Sequence, residues 1–334
     1  MKKILIATDV WKNINGVVTS IKQLKEGLEK RNFTVKIVHP GEFKNVPLFT
    51  DPDIKLAILG RRKMEKIIKE FSPDYIHIAT EGPVGFAARL ACSKNKWKFT
   101  THYHTQLPEY IEIRTGLSKN AIYHYMRWFH KKSEKTMVSS PMFKHLLEKK
   151  KFKNVALIPL GVDTNFFKKN PEAKIPPDLK KPIFTFLGRV TAEKNIEAFL
   201  KCKLPGTKLV IGEGTALKSL KKHFKNDTVF TGCKTGQELV DLLSISDVFV
   251  FPSKTDTFGL VILEALACGV PVAAYNVQGP KDLIKNGVDG FLGPNLEKNA
   301  LNCLKLKPAN CIKKALKFSS AKWCDLFIKN LSRI

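Results

Sequence analysis

Asp256 and Glu264 stand eight positions apart around Gly259, within Phe251-Pro-Ser-Lys-Thr-Asp-Thr-Phe-Gly-Leu-Val-Ile-Leu-Glu-Ala-Leu-Ala-Cys-Gly-Val-Pro-Val272. The apolar run from Val248 to Phe251 reads as a strand, the polar stretch behind it as a loop, and Leu260 as the start of a helix. The first N–H groups of a helix have no intrahelical acceptor. Near Phe258, Gly259 and Leu260, with no side chain on the glycine to block approach, such groups suit a diphosphate. Two carboxylates beside an anion site can accept hydrogen bonds from sugar hydroxyls. Taken alone, the same pair also fits a helix-start acid and an exposed Glu. Arg189 and Lys194 follow the apolar run from Ile183 to Leu187, in Phe186-Leu-Gly-Arg-Val-Thr-Ala-Glu-Lys-Asn195. A guanidinium fork and an ammonium just past a strand end are suited to neutralising two phosphate charges.

A second group lies in the first half of the chain. Thr101-His-Tyr-His-Thr-Gln-Leu-Pro-Glu-Tyr110 places His102 and His104 at same-face spacing after a strand. His102 reads as a structural hydrogen-bonder. Gly16 follows the first strand in Asn15-Gly16-Val-Val, and Glu81-Gly82-Pro83-Val-Gly85 reads as turn and helix-start chemistry. If the stretch from Ser118 to Lys135 is one helix, Ile122, Tyr125, Met126 and Phe129 line one side. Lys119, Arg127, Lys131, Lys132 and Lys135 then supply cations, and Trp128 adds an aromatic. Such a helix fits a lipid interface, or equally an amphipathic helix packed on its own sheet. Arg61, Arg62 and Lys63 read as a solvated helix start. Asp51-Pro-Asp53 has the spacing of a metal-binding acid pair, but with no strand end and no third ligand beside it we read a turn. No His-x-x-x-His, cysteine cluster, Gly-x-Ser-x-Gly or P-loop is present, so no metal and no cofactor is expected. Gly212-Glu-Gly214 is half a dinucleotide fingerprint and lacks the third glycine.

The elements that must position these residues follow from periodicity. Short β-rich runs (4–8, 34–39, 75–79, 98–102) alternate with helical stretches near 16–31 and 84–95, as β-α units around a parallel sheet do. The Pro- and Lys-rich stretch from Lys168 to Pro182 breaks the pattern, which then restarts with runs at 183–187, 208–211, 228–230, 248–251 and 272–275. The expectation is an α/β protein of two Rossmann-like domains, 1–167 and 183–315, joined by a linker over 168–182 and followed by a terminal helix over 316–334. The 43% hydrophobic content is ample for such cores. Seven cysteines, odd in number and without a C-x-x-C pair, indicate reduced thiols in a cytosolic protein. The run from Ile4 to Ala7 stops at Asp9, too short for a signal peptide, and no stretch is apolar enough to span a membrane, so any membrane contact is peripheral. The formal charge is +27, and residues 1–165 carry 30 cations against 15 acids while the rest carry 27 against 15. So even a coat, with only eight arginines, does not form the concentrated Arg-bearing stripe of a sequence-reading nucleic-acid binder.

The block around Asp256, Gly259 and Glu264 resembles the donor-sugar signature of the retaining GT4 glycosyltransferases of GT-B fold, in which two acids flank seven residues. The first acid of that family is usually Glu and is Asp256 here. The resemblance covers nearly the whole chain. It implies two Rossmann-like domains facing across a cleft, with the last helix returning to the N-terminal domain. It makes residues 1–167 the acceptor-binding domain and 183–315 the donor-binding one. It further implies that Glu264 accepts from the ribose and Asp256 from the donor sugar. Arg189, Lys194 and the N–H groups near Phe258, Gly259 and Leu260 then hold the diphosphate, with Gly16 close by, and Gly212 to Gly214 line the nucleotide. His104 is the residue that matches the family histidine touching the donor sugar. With no carboxylate placed as a covalent nucleophile, the implied reaction is same-face attack, the leaving phosphate helping to deprotonate the acceptor hydroxyl.

Leu107-Pro-Glu-Tyr110 is similar to the subgroup that makes glycosyl diacylglycerols and to its mannosyltransferase relatives. With the basic aromatic segment and the positive charge, this gives the expected activity: transfer of a hexosyl group from UDP-glucose or UDP-glucuronate to a lipid, diacylglycerol. The protein is then expected on the inner face of the cell membrane, docked through Tyr125, Trp128, Lys131 and Lys132 on an anionic surface. The alternative within the family is GDP-mannose-dependent transfer to a phospholipid or lipopolysaccharide precursor. The alternative outside it is a basic nucleic-acid-binding protein, which would leave Asp256, Glu264, Arg189 and Lys194 without a purpose.

Overall fold

Two separate parallel sheets form because each β-rich run is followed by a helix that returns the chain to the same edge. The computed structural model describes residues 1–11, 16–48, 51–58, 60–108, 111–112, 116, 118–224 and 226–334. They divide into two units, Met1–Pro159 with Ala321–Ile334, and Leu160–Ser320.

In the first unit β1 (Lys2–Ala7), β2 (Phe33–Val38), β5 (Tyr75–Ile78), β6 (Thr100–Tyr103), β7 (Lys135–Val138) and β8 (Val155–Leu157) lie in the order β2-β1-β5-β6-β7-β8. All five neighbouring pairs are parallel. Ile4, Leu5, Ile6 and Ala7 of β1 are fully buried, as expected of a strand covered by helices on both faces. β3 (Asn45–Leu48) and β4 (Asp51–Ala57) form a separate antiparallel pair. Asp51-Pro-Asp53 therefore opens a strand rather than making a turn.

In the second unit β9 (Ile183–Leu187), β10 (Thr207–Ile211), β11 (Thr228–Gly232), β12 (Val248–Phe251), β13 (Val272–Ala274) and β14 (Gly290–Leu292) lie in the order β11-β10-β9-β12-β13-β14. In both sheets the chain winds outward from its first strand and then jumps back across it, so the order reverses between β1 and β5 and between β9 and β12. Ligands of open α/β sheets bind outside the carboxyl ends of the strands at such reversals.

The passage between units is not at 168–182. That stretch packs within the second unit: the Asn170 N–H donates to Ser244 Oγ at 2.9 Å and the Lys180 N–H to Thr207 Oγ1 at 2.7 Å. The crossings fall at Pro159/Leu160 and Ser320/Ala321. Val162 N–H donates to the Phe318 carbonyl and Ser320 N–H to the Val162 carbonyl, each at 2.8 Å, so the two crossing segments are paired backbone to backbone. Hydrogen bonding of the polar backbone overrides what proline content suggests. The last helix, Ser320–Lys329, belongs to the first unit: Arg31 Nε meets Asp325 Oδ1 at 2.7 Å, and Trp323, Cys324 and Phe327 are buried. All seven cysteines are free thiols, six of them buried. Among the described residues no helix is long and apolar enough to cross a membrane.

Candidate functional site

The reversal between β9 and β12 carries the residues singled out in the second half of the sequence. β9 ends at Leu187 and leads through Arg189 to a single helical turn, Ala192–Lys194. β12 ends at Phe251 and leads through Asp256 to helix Leu260–Ala267. Three contacts tie the two loops together. Asn195 Nδ2 donates to the Pro252 carbonyl at 3.0 Å, Thr255 Oγ1 to the Glu193 carbonyl at 3.4 Å, and Lys194 Nζ to Asp256 Oδ1 at 2.5 Å. Asp256 Oδ2 is buried and has no hydrogen-bond partner among the described residues. A buried acceptor left unmade costs about 1–3 kcal/mol, and a ligand hydroxyl donated to it removes that cost.

Helix Leu260–Ala267 starts at Gly259, whose φ of 86° and ψ of 61° lie in the left-handed region. A Cβ there would stand 2.9 Å from Ile262 Cδ1, the movable end of a side chain, so it is the positive φ that favours glycine. Among the described residues no side chain caps this helix; the Ile262 N–H donates to the Gly259 carbonyl at 2.9 Å, and the N–H groups of Leu260 and Val261 are left for another acceptor. Phe258 and Leu260 are both buried. Glu264 is 6% exposed on the same helix and has no ion-pair partner among the described residues. Burial alone pushes its carboxyl up to about 7. Asp256 and Glu264 thus lie in the loop and in the helix respectively, and Glu264 is a buried acid rather than an exposed one.

One expectation is changed by a residue that sequence reading left out. Arg189 is not a free cation: its Nη2 lies 3.1 Å from Glu193 Oε1. With Lys194 on Asp256, the four side chains are neutral in sum, and either cation must exchange a carboxylate for a phosphate to serve a diphosphate. The signal was available, because Arg189 and Glu193 stand four apart, the spacing at which charged pairs meet in a helical turn.

In the first unit the reversal lies between β1 and β5. Gly16, nine residues past the last residue of β1, is exposed and opens helix Gly16–Glu29, and a Cβ there would meet nothing within 4 Å. Its neighbour Asn15 lies outside the described residues, as do Glu109 and Tyr110 of the Leu-Pro-Glu-Tyr stretch. Asp9, which the sequence did not flag, caps helix Pro83–Asn95 from the end of β1: its Oδ1 accepts from Val84 N–H at 2.7 Å and its Oδ2 from Thr80 Oγ1 at 2.7 Å. Gly85 is required because a Cβ would fall 1.8 Å from the Thr80 carbonyl oxygen. Burial raises the Asp9 carboxyl against these hydrogen bonds.

His104 is half-buried at the end of β6 and stacks on His102 with ring centroids 3.7 Å apart and planes within 7°. Burial pushes His104 down to about 4 and His102 well below the ordinary range. Both rings are therefore neutral at physiological pH. Glu81 is buried against His130, Oε1 to Nε2 at 3.3 Å, and its carboxyl is raised by burial.

The basic aromatic segment is shorter than a helix to Lys135 would be. The helix is Lys119–His130, and Lys135 begins β7 with its Nζ on Asn330 Oδ1 at 2.9 Å. Tyr125 points inward, donating to the Glu81 carbonyl at 2.7 Å, so it is not available as a surface anchor. Trp128 is 42% exposed, with Arg89 3.4 Å from its ring centroid. Arg89 is itself buried and donates to the carbonyls of Trp128 and Phe129, which fixes the end of this helix. Lys131 and Lys132 are exposed and have no acidic partner among the described residues.

Two family models match in succession, Glycosyltransferase Family 4 over residues 14–166 and Glycosyl transferases group 1 over residues 167–304. A GDP-mannose-dependent alpha-mannosyltransferase of Corynebacterium glutamicum is 27% identical over 87% of this chain and 76% of its own length. An alpha-monoglucosyldiacylglycerol synthase of Streptococcus pneumoniae is 28% identical over 87% and 75%. Among solved structures, sucrose-phosphate synthase from Thermosynechococcus elongatus superposes with a TM-score of 0.78 at 19% identity, covering 98% of each chain. Two six-stranded parallel sheets, loops paired at a strand-order reversal and two adjoining family matches agree: the chain is an enzyme of the family 4 glycosyltransferases, with the GT-B fold.

Proposed function

We propose that this glycosyltransferase moves a hexosyl group from UDP-glucose or UDP-glucuronate to the hydroxyl of diacylglycerol, with retention of anomeric configuration. The observation that carries the reading is the unpartnered, buried Oδ2 of Asp256 beside Lys194 at the β9/β12 reversal. A sugar hydroxyl satisfies that oxygen, while the diphosphate takes Lys194, Arg189 and the open N–H groups behind Gly259. Glu264 accepts from the ribose. His104 touches the transferred sugar, as the family resemblance implies. Donors aimed at the departing diphosphate stabilise the charge that grows as the glycosidic bond breaks, usually the largest catalytic contribution. The leaving phosphate then takes the proton of the acceptor hydroxyl on the same face.

Support for a lipid acceptor comes from the diacylglycerol named for one relative and from the net charge of +27. The mannosyltransferase relative, matched over the same share of the chain, favours a second reading: GDP-mannose as donor and a phospholipid or lipopolysaccharide precursor as acceptor. Parallel assays with UDP-glucose, UDP-glucuronate and GDP-mannose against diacylglycerol and phosphatidylinositol vesicles decide between them.

Transfer is expected to proceed without a metal, because Arg189 and Lys194 supply the positive charge at the diphosphate. Activity in excess EDTA should equal that in its absence. Loss on chelation, restored by magnesium or manganese, overturns this.

Docking on an anionic surface is assigned to Lys131, Lys132 and the exposed edge of Trp128. Each cation near an anionic leaflet contributes about 1 kcal/mol, screened over about 8 Å at physiological salt. Lys131→Glu with Lys132→Glu should therefore weaken sedimentation with anionic vesicles, and wild-type binding should fall as salt rises. Binding that survives both changes places the dock elsewhere.

A further inference from the structure

The first unit contains a row of rings of which the reaction described above uses only the last, His104. Phe327, on the last helix, is fully buried and meets His77 edge to face, with centroids 4.8 Å apart and planes at 80°. His77, on β5, is held by its Nδ1 to Thr100 Oγ1 at 2.9 Å and stands edge to face with His102 at 6.2 Å and 86°. His102, on β6, lies flat against His104. The row thus runs from the C-terminal helix through the sheet to the histidine at its carboxyl edge. Beside it is a cavity of about 10 Å3, bounded by His77, His102, His104, Ile6, Ser20 and Trp323 among others. Trp323 Nε1 and His102 Nε2 are both buried and have no hydrogen-bond partner among the described residues.

We propose that Phe327, His77 and His102 are positioning residues for His104, so that the C-terminal helix fixes the ring that touches the transferred sugar. Flat stacking leaves His104 one plane in which to lie, and T-shaped contacts fix His102 and His77 in turn. A ring so held loses little rotamer freedom when substrate arrives, and misplacement of a contact by about 1 Å can cost up to about 10^2-fold in rate. The titratable groups facing the row are its three histidines and His130, which also acts on His102 and is itself held against Glu81; among the described residues no carboxylate lines the cavity. The ordinary imidazole charge of the row's three histidines is suppressed by burial, His77 being pushed down to about 3, which removes the repulsion that three cations so close would suffer. The proposal rests on the reading that His104 contacts the sugar.

The test uses the full chain, with Phe327→Leu as a volume-sparing variant and His102→Gln as a second. Histidine Cε1–H resonances are followed by NMR against pH, alongside kcat and the donor KM. In wild type His104 should not titrate above about pH 5. In Phe327→Leu its midpoint should rise toward the ordinary value of about 6.5, with kcat lowered about tenfold and the donor KM within about twofold. An unchanged His104 titration in both variants overturns the positioning row, whatever the activity. So does a shifted titration with kcat unchanged, provided that His104→Ala abolishes transfer. If His104→Ala itself leaves transfer intact, the sugar contact is what fails, and the NMR titration reports on the row separately.

Discussion

Lys194→Ala will lower turnover by about 10^2–10^3-fold, the loss found when one preorganised donor to a developing anion is removed. Two effects act together in this variant. The diphosphate loses an ammonium, and Asp256, already carrying one unpartnered oxygen, loses the partner of the other. The contributions separate in a double-mutant cycle with Asp256→Asn. Because the two side chains are in contact, the double variant should lose clearly less than the product of the single losses. Circular dichroism should be unchanged, since Lys194 ends a single helical turn and Asp256 lies in a loop, both outside the buried strands. Turnover within tenfold of wild type contradicts the assignment of Lys194 to the leaving group.

Glu264→Ala will weaken nucleotide binding by about 1.5–3 kcal/mol, the range for hydrogen bonds to a charged group, measured by calorimetry with UDP and GDP. The pH dependence makes the test sharper. Burial holds the Glu264 carboxyl near 7 against an ordinary value of 4.5. Between those two pH values the native state keeps a proton that the unfolded chain has released. On this group's account the free protein therefore loses stability as pH rises through about 7, having kept it in full below 4.5. Nucleotide binding has the opposite trend, because ribose hydroxyls donate to the ionised form. Affinity should climb as pH rises to about 7 and then level, and Glu264→Gln should flatten the climb. A flat wild-type profile with full affinity in the alanine variant removes the ribose role.

What could be read from the sequence was what is local in it. Asp256, Gly259 and Glu264 share one strand-loop-helix segment, so their spacing alone placed one acid in the loop, the other on the helix and a glycine at the helix start. The alternation of short apolar runs with helical periodicity was likewise enough for two Rossmann-like sheets. The residues that were missed act through partners far along the chain. Asp9 caps helix Pro83–Asn95 by taking the N–H of Val84, 75 positions later, and Arg89 closes the helix that ends near Phe129, 40 positions away. β7 escaped because Lys-Thr-Met-Val is short and follows a helix rich in the same cations, so the helical reading ran on through Lys135. Tyr125 was given to the surface because a tyrosine on a basic helix fits an interface as well as it fits a core. Only the Glu81 carbonyl that takes its hydroxyl decides.

The most direct measurement of the central claim is a transfer assay. Purified protein is incubated with radiolabelled UDP-glucose, UDP-glucuronate or GDP-mannose and vesicles containing diacylglycerol and anionic phospholipid, and the organic phase is counted. The account predicts label in a chloroform-soluble glycolipid from a UDP-sugar, with the anomeric configuration of the donor by NMR and with the product lost in Lys194→Ala. Label that stays in water-soluble products with every donor, or a glycolipid of inverted configuration, contradicts it.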